Sequence, residues 1–133
     1  MALSASAPAL LDTSVIIAYD LPGVDLPGTA AISVITVGEL RAGVALARDA
    51  DMRAGRERRL AAIRAAFRPL PVDESVAERF GDILAVARAE RRTAKATDLL
   101  IVATAATHER VLYTRDESQA RLAEAAGVLA TSL

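Results

Sequence analysis

Short apolar segments alternate with helix-like segments along the 133-residue chain, and this alternation constrains the fold more than any other feature. It is typical of a parallel sheet whose two faces are covered by helices. Strands or extended segments are predicted at 8–12, 30–33, 67–72, 111–114 and 128–130. Helices are predicted at 14–20, 34–49, 51–66, 73–92, 97–109 and 116–127. The sequence therefore predicts one α/β domain over residues 1–133.

Turn and cap residues separate these segments. The repeat "DLPGVDLPG" at 20–28 is typical of two turns in a tight loop. Asp73 or Ser75 could cap the helix that follows residue 72, and Gly127 is placed to end the last helix.

The composition excludes several classes of protein. There is no cysteine, which excludes disulfides and thiolate zinc sites and suits a reducing cytoplasm. No apolar run approaches the ~18 residues of a membrane helix. The first residues lack the basic start of a secretion signal, and Asp12 interrupts their apolar part. We therefore expect a cytoplasmic protein with no membrane segment.

Positive charge is concentrated in two stretches, although the net charge is only −1. Residues 51–68 carry six arginines against Asp51 and Glu57, a net of +4. Residues 88–95 carry three arginines and Lys95 against Glu90, a net of +3. Such stretches can bind phosphate, or they can simply be solvated helix faces. The candidate RNA-binding residues are Arg56, Arg58, Arg59 and Arg92.

Four acidic residues lie where carboxylates are unusual. Asp12 interrupts the apolar run "ALLDTSVIIAY", and a buried charge is costly unless it is paired or bound to metal. Asp98 opens an apolar helix, Asp116 follows the predicted strand "VLYT", and Glu39 has no basic residue three or four positions away. In parallel α/β folds, sites form where the strands end. These positions predict that the four carboxylates converge.

Each acid also has a structural interpretation. Asp98 could favour a helix N-terminus, and Asp116 with Gln119 resembles a capping box. Glu39 could lie at a rim, and Asp12 could simply end a strand. Together the four favour a cation site, because converging carboxylates repel one another. Oxygen ligands without cysteine or a placed histidine favour Mg²⁺ or Mn²⁺, and that chemistry suits phosphodiester hydrolysis by an activated water.

The chain resembles PIN domains, in particular the VapC-type toxins of bacterial toxin–antitoxin pairs. The resemblance is carried by "LLDTSVIIA", "ISVITVGELRAGV", "ATDLLIVATA" and "LYTRD", in the family's order. It implies a three-layer α/β/α sandwich and an endoribonuclease that uses Mg²⁺ or Mn²⁺. It also implies a homodimer that a VapB-type antitoxin inhibits within a larger complex, and an RNA substrate for which tRNA and rRNA are candidates.

Carried over by position, the resemblance assigns the catalytic acids. Asp12, Asp98 and Asp116 would carry the metal, directly or through water, and Glu39 would assist a second metal or orient the attacking water. The hydroxyls that would support this set belong to Thr13, Ser14 and Thr114. The chain departs from the family at 20–28, where members often place a further helix.

Two other functions are also compatible with the sequence. A PIN-like module could hold RNA or a partner without cutting it, although all four acids are present. An aspartyl-phosphate phosphatase also places Asp after its first strand, but it usually has a second Asp two residues later, where this chain has Ser14.

Overall fold

Five parallel strands form the centre of the computed structural model, which describes residues 7–18 and 29–132. The strands are β1 (Ala9–Leu11), β2 (Ala30–Ser33), β3 (Arg68–Leu70), β4 (Val111–Thr114) and β5 (Ala130–Ser132). Their order across the sheet is β3-β2-β1-β4-β5, and every neighbouring pair is parallel. The alternation of segments therefore predicted the sheet correctly.

Helices cover both faces of this sheet. They are α1 (Thr13–Ala18), α2 (Val34–Ala45), α3 (Ala50–Ala66), α4 (Glu74–Ala89), α5 (Ala96–Thr107) and α6 (Glu117–Ala125). Among these six helices of the described ranges, none combines the length and apolarity that crossing a bilayer requires.

The two central leucines of β1 divide the core into two layers. Leu10 packs in a cluster with Val76 of α4 and Leu99 of α5, whereas Leu11 packs with Ile16 of α1 and Ile63 of α3. Successive side chains of a strand point to opposite faces, so two adjacent buried leucines require a cover on each face. Burial of each leucine contributes about 1.5–3 kcal/mol. The result is the three-layer α/β/α sandwich that the family resemblance implied.

The helix predicted at 73–92 ends at Ala89, and Arg91 beyond it has φ +54°. Two other predicted boundaries were wrong for identifiable reasons. The helix predicted at 34–49 ends at Ala45, because Asp49 instead caps α3 by accepting a hydrogen bond from the Met52 N–H at 2.8 Å. The strand predicted at 128–130 is β5 at Ala130–Ser132. Gly127 has φ +79°, and the Val128 N–H bonds to the Ala123 carbonyl at 2.8 Å, so the turn that ends α6 occupies these positions.

Other caps agree with the sequence. Asp73 caps α4 through a 3.0 Å hydrogen bond from the Val76 N–H, as predicted for Asp73 or Ser75. The turns predicted at 20–28, the departure from the family there and the last residues of the helix predicted at 14–20 lie outside the described residues.

The strand order creates one crevice at the carboxyl edge of the sheet. From β1 the chain proceeds to β2 and β3 on one side, and it then crosses to β4 on the other side of β1. In open parallel sheets, ligands bind at this point of reversal, outside the carboxyl ends of the strands. Asp12 directly follows β1, and Asp116 follows β4 by two residues. The topology therefore brings two of the predicted acids to the crevice.

Candidate active site

Asp12 is a buried carboxylate that two hydroxyl groups hold in place. Its residue is 5% exposed, and its backbone N–H donates to the Tyr113 carbonyl at 2.8 Å. Its Oδ2 accepts hydrogen bonds from Thr114 Oγ1 at 2.8 Å and from Ser14 Oγ at 2.9 Å. Hydrogen bonds offset the cost of burying this charge. Within the described residues Oδ1 accepts no hydrogen bond, so that oxygen is available to a ligand.

The same two hydroxyls join the segment after β1 to the segment after β4. Ser14 Oγ accepts from the Arg115 N–H at 2.9 Å, and Thr114 Oγ1 accepts from the Asp116 N–H at 3.0 Å. A hydroxyl carries one proton. Because each donates that proton to Asp12, the 3.3 Å approach between Ser14 and Thr114 is a contact without a proton of its own. Backbone and side chains thus fix the position of Asp12.

Glu39 is held by a chain of hydroxyl groups from α1 and α2. Thr13 Oγ1 donates to Glu39 Oε1 at 2.7 Å and lies 2.9 Å from Thr36 Oγ1. Since the Thr13 proton is used on Glu39, the Thr36 hydroxyl must be the donor in the second bond. Thr36 is fully buried, and the sequence analysis did not identify it. Its position three residues before Glu39, on the same face of α2, is the signal that could have found it.

Asp98 experiences the charges of all the other predicted acids. It is the third residue of α5 and is half-buried. Burial is the largest cause that raises the pKa of its carboxyl above the ordinary value. The charges of Asp12, Glu39 and Asp116 raise this pKa further, in that order of size. Lys95 opposes them. The four acids predicted to converge therefore share one electrostatic environment.

Asp116 caps α6, as the local sequence suggested. Its Oδ1 accepts from the Ser118 N–H at 2.8 Å and the Gln119 N–H at 3.4 Å. The capping box is only half formed, because the Asp116 N–H bonds to Thr114 rather than to the Gln119 side chain. Gln119 is 3% exposed, and its Nε2 donates to the Asp98 carbonyl oxygen at 3.1 Å. Gln119 therefore connects the segments that carry Asp98 and Asp116.

These carboxylates are suited to a hard cation that keeps part of its hydration shell, rather than to one enclosed by a complete set of protein ligands. Within residues 7–18 and 29–132, no three acidic or histidine side chains lie close enough together to form a complete ligand set. Magnesium keeps several of its waters and is held by one or two carboxylates plus substrate phosphates, so it needs no such complete set. The donors are all oxygens, and the mutual repulsion that raises the pKa of Asp98 is relieved by a bound cation. The single histidine, His108, lies beyond the opposite end of α5 from Asp98.

The four arginines predicted to bind RNA do not form one surface. Arg56, Arg58 and Arg59 belong to α3, where Arg56 donates to the Gly43 carbonyl and Arg59 to the Ile16 carbonyl. Arg56 and Arg59 line a groove of about 280 Å³ that also includes Glu39. Arg92 lies between α4 and α5 and lines a different pocket, which includes Asp98. Basic side chains therefore flank the acidic centre on two sides.

The chain is similar in sequence and in structure to proteins of one family. The model of the PIN domain family matches residues 9–125. "Ribonuclease VapC8" of Mycobacterium tuberculosis is 45% identical over 100 residues, covering 72% of this chain and 88% of that protein. "Ribonuclease VapC5" of the same species is 35% identical over 126 residues, covering 92% and 93%. The crystal structure of VapBC-5, a toxin–antitoxin system of M. tuberculosis, contains a chain with a TM-score of 0.83 and 33% identity, covering 96% of this chain and 99% of that one.

Proposed function

The chain belongs to the PIN domain family, and from this premise we propose that it is a metal-dependent endoribonuclease that acts as the toxin of a toxin–antitoxin pair. The two relatives described above are named ribonucleases. The observation that carries the proposal is the environment of Asp98, whose pKa is raised first by burial and then by the charges of three carboxylates from three other segments. Such a group at the reversal point of a parallel sheet is suited to holding a cation against a phosphodiester.

We assign the metal to Asp12, Asp98 and Asp116, which bind it directly or through water. Bound Mg²⁺ or Mn²⁺ would lower the pKa of a water molecule and neutralise charge that develops on the phosphate. Asp12 offers Oδ1 from a rigid position, because Thr114 and Ser14 hold Oδ2. Asp116 uses Oδ1 to cap α6, which leaves Oδ2 as its ligand oxygen.

Glu39 has a separate role in this assignment. Thr13 holds its Oε1, and Oε2 accepts no hydrogen bond within the described part of the chain. The free oxygen would orient the attacking water or assist at a second metal position. Thr13 and Thr36 act on Glu39 by positioning it, as outer hydroxyls commonly do around metal sites.

The RNA is proposed to cross the acidic centre between two basic regions. Arg56 and Arg59 lie on the side of Glu39, and Arg92 lies on the side of Asp98. Arg58 belongs to the same helix but does not line the groove that includes Glu39. Positive charge on both sides of a cluster of carboxylates would hold a polyanion that the cluster itself repels. This arrangement supports a strand as substrate rather than a small phosphate ester.

A VapB-type antitoxin is the proposed partner. The structure with a TM-score of 0.83 is that of a VapBC family toxin–antitoxin system. We propose that this chain assembles in the same way with its own antitoxin. A homodimer stays a prediction from the family resemblance.

The phosphatase alternative is disfavoured by the surroundings of Asp12. The residue two positions later is Ser14, whose hydroxyl donates to Asp12 Oδ2 at 2.9 Å. A serine hydroxyl does not replace the carboxyl that such enzymes use as general acid and base. The non-cleaving RNA-binding module is the alternative that experiment must separate.

The test is incubation of the purified protein with a pooled RNA preparation, with and without Mn²⁺ or Mg²⁺. We expect cleavage only with metal, its loss in Asp12→Asn and its retention in Asp82→Asn, a control at an exposed position of α4. Binding of RNA without cleavage under all metal conditions would overturn the nuclease and support the binding module. Addition of the purified antitoxin should stop cleavage.

A further inference from the structure

A pocket of about 220 Å³ adjoins the acidic centre on the side of Asp98. Its polar lining comes from the segment before α5, the first turn of α5 and the first turns of α6. It consists of Arg92, Thr93, Asp98, Ser118, Gln119 and Arg121. Pockets that enclose drug-sized ligands measure roughly 300–1,000 Å³. The volume therefore suits a small group rather than a whole cofactor.

Both arginines of this pocket keep nitrogens for a ligand. Arg92 uses Nε in its 3.0 Å ion pair with Glu90, and its terminal nitrogens form no hydrogen bond within the described residues. The Nη1 atom of Arg121 lies 3.7 Å from Oε2 of Glu117, which is too far for a hydrogen bond. The side chains of both pairs are 35% exposed or more, so each ion pair contributes little to stability. Another anion can therefore replace the glutamate carboxylate in either pair. Two guanidinium groups from separate segments can bind a phosphate through several charge-assisted hydrogen bonds.

The lining favours a phosphate over a nucleobase. Among the lining residues, all of them described, there is no aromatic side chain on which a base could stack. The hydroxyls of Thr93 and Ser118 add donors suited to phosphate oxygens.

We propose that this pocket, which we call the Arg92–Arg121 pocket, binds a backbone phosphate of the RNA next to the phosphate that is cut. The proposal rests on the proposed function and deepens it, because it assigns a substrate subsite to Arg92, together with Arg121, which the sequence analysis did not single out. Asp98 lines the pocket and also belongs to the acidic centre. A phosphate held there fixes the strand on one side of the metal carboxylates, and so determines which bond meets them.

The first measurement is binding of a short fluorescent oligoribonucleotide in the presence of a chelator, which keeps the strand intact. The Arg92→Gln/Arg121→Gln double variant should bind at least about tenfold more weakly, since it loses the charge-assisted hydrogen bonds of both guanidinium groups to the phosphate. The slope of log affinity against log salt should flatten by about 0.7 for the lost phosphate contact. The matched control removes the same charge at exposed positions of α3 and α4, as Arg64→Gln/Arg79→Gln, and should bind like the unmodified protein.

The second measurement identifies the phosphate. A series of oligonucleotides, each with one neutral methylphosphonate in place of a phosphate, is bound to both proteins. We expect one position beside the cleavage site to weaken binding to the unmodified protein and to have no further effect in the double variant. Equal losses at every position in both proteins would overturn the subsite and leave the arginines as diffuse positive charge.

The outcomes separate this proposal from the nuclease itself. RNA cleavage without any position-specific coupling overturns the subsite alone. Coupling at one position without cleavage under any metal condition supports a phosphate site in the pocket, but overturns the nuclease and the placement of that site beside a cut bond. No RNA binding by the unmodified protein overturns both, and loss of antitoxin capture with RNA binding unchanged would assign the pocket to the antitoxin instead.

Discussion

Thr114 donates a hydrogen bond to Asp12 across 2.8 Å, although 102 positions separate the two residues in the chain. The bond joins the carboxyl ends of β4 and β1, the two neighbouring strands at which the chain crosses from one side of the sheet to the other. It satisfies one oxygen of a carboxylate that is 5% exposed. The geometry of the proposed metal site therefore depends on a contact between neighbouring strand ends.

Replacing the Thr114 hydroxyl should affect both stability and cleavage. Thr114→Val removes the donor to Asp12 and the acceptor for the Asp116 N–H, and should cost about 1–3 kcal/mol in the free energy of unfolding. Thr114→Ser keeps the hydroxyl and should preserve most of the cleavage rate. Urea unfolding and kcat/KM measure the two effects. Equal kcat/KM for the valine and serine variants would show that this hydroxyl does not position the site.

Gln119 is predicted to act on metal affinity through the Asp98 segment. Gln119→Met keeps the size of the buried side chain but loses the 3.1 Å hydrogen bond to the Asp98 carbonyl. Loss of such an outer contact should weaken Mn²⁺ binding about tenfold. The metal concentration that half-saturates the rise in melting temperature gives this affinity. A purely structural role would lower the melting temperature in chelator and leave the half-saturating concentration unchanged.

The stability of the metal-free protein should improve when the Asp98 charge is removed. The pKa of Asp98 is raised in the folded state, first by burial and then by the other acids. Between the unfolded and folded pKa values the folded state binds more protons, so this group lowers stability as pH rises through that window. Asp98→Asn in chelator should therefore unfold at higher urea than the unmodified protein at neutral pH.

The gain should disappear below the ordinary aspartate pKa of 3.8, where Asp98 is protonated in both states. Saturating Mn²⁺ should reverse the order, because the cation stabilises only a protein that binds it. Asp82→Asn, at an exposed position, should show neither effect. A neutral-pH stability that Asp98→Asn leaves unchanged or lowers would contradict the proposed repulsion.

Asp116 is predicted to have two separable roles. Its Oδ1 caps α6, and asparagine caps a helix about as well as aspartate, whereas alanine at a cap costs about 1 kcal/mol. Asp116→Asn should therefore fold with nearly full stability, yet its cleavage rate should fall about 10²-fold, since the cation loses a charged ligand. Unfolding and single-turnover cleavage of Asp116→Asn and Asp116→Ala give the comparison. A fully active Asp116→Asn would leave capping as the only role of this residue.

The sequence predicted the placement of the acids because strand ends are predictable. Once β1 and β4 were identified as parallel strands, Asp12 and Asp116 had to lie at the same edge of the sheet. The resemblance also placed Ser14 beside the first acid and Thr114 near the metal. Both hydroxyls contact Asp12 in the structure.

Contacts between helices could not be predicted from the sequence in the same way. The bond of Thr13 to Glu39 depends on how α1 is rotated against α2, and the bond of Gln119 to Asp98 depends on how α6 packs on α5. No local pattern specifies these rotations. For the same reason Arg121, an ordinary exposed residue of α6 by sequence, was not connected with Arg92.

We propose that the carboxylates around Asp98 form one metal-dependent RNA-cleaving site. Its most direct test is the rate of cleavage of one defined oligoribonucleotide over a series of Mn²⁺ concentrations, for the unmodified protein, Asp98→Asn and Asp82→Asn. We expect no cleavage in chelator, a saturable rise with Mn²⁺ for the unmodified protein and Asp82→Asn, and a rate at least about 10²-fold lower for Asp98→Asn. Cleavage that persists in chelator, or an Asp98→Asn variant with the same metal dependence and rate as the unmodified protein, would contradict it.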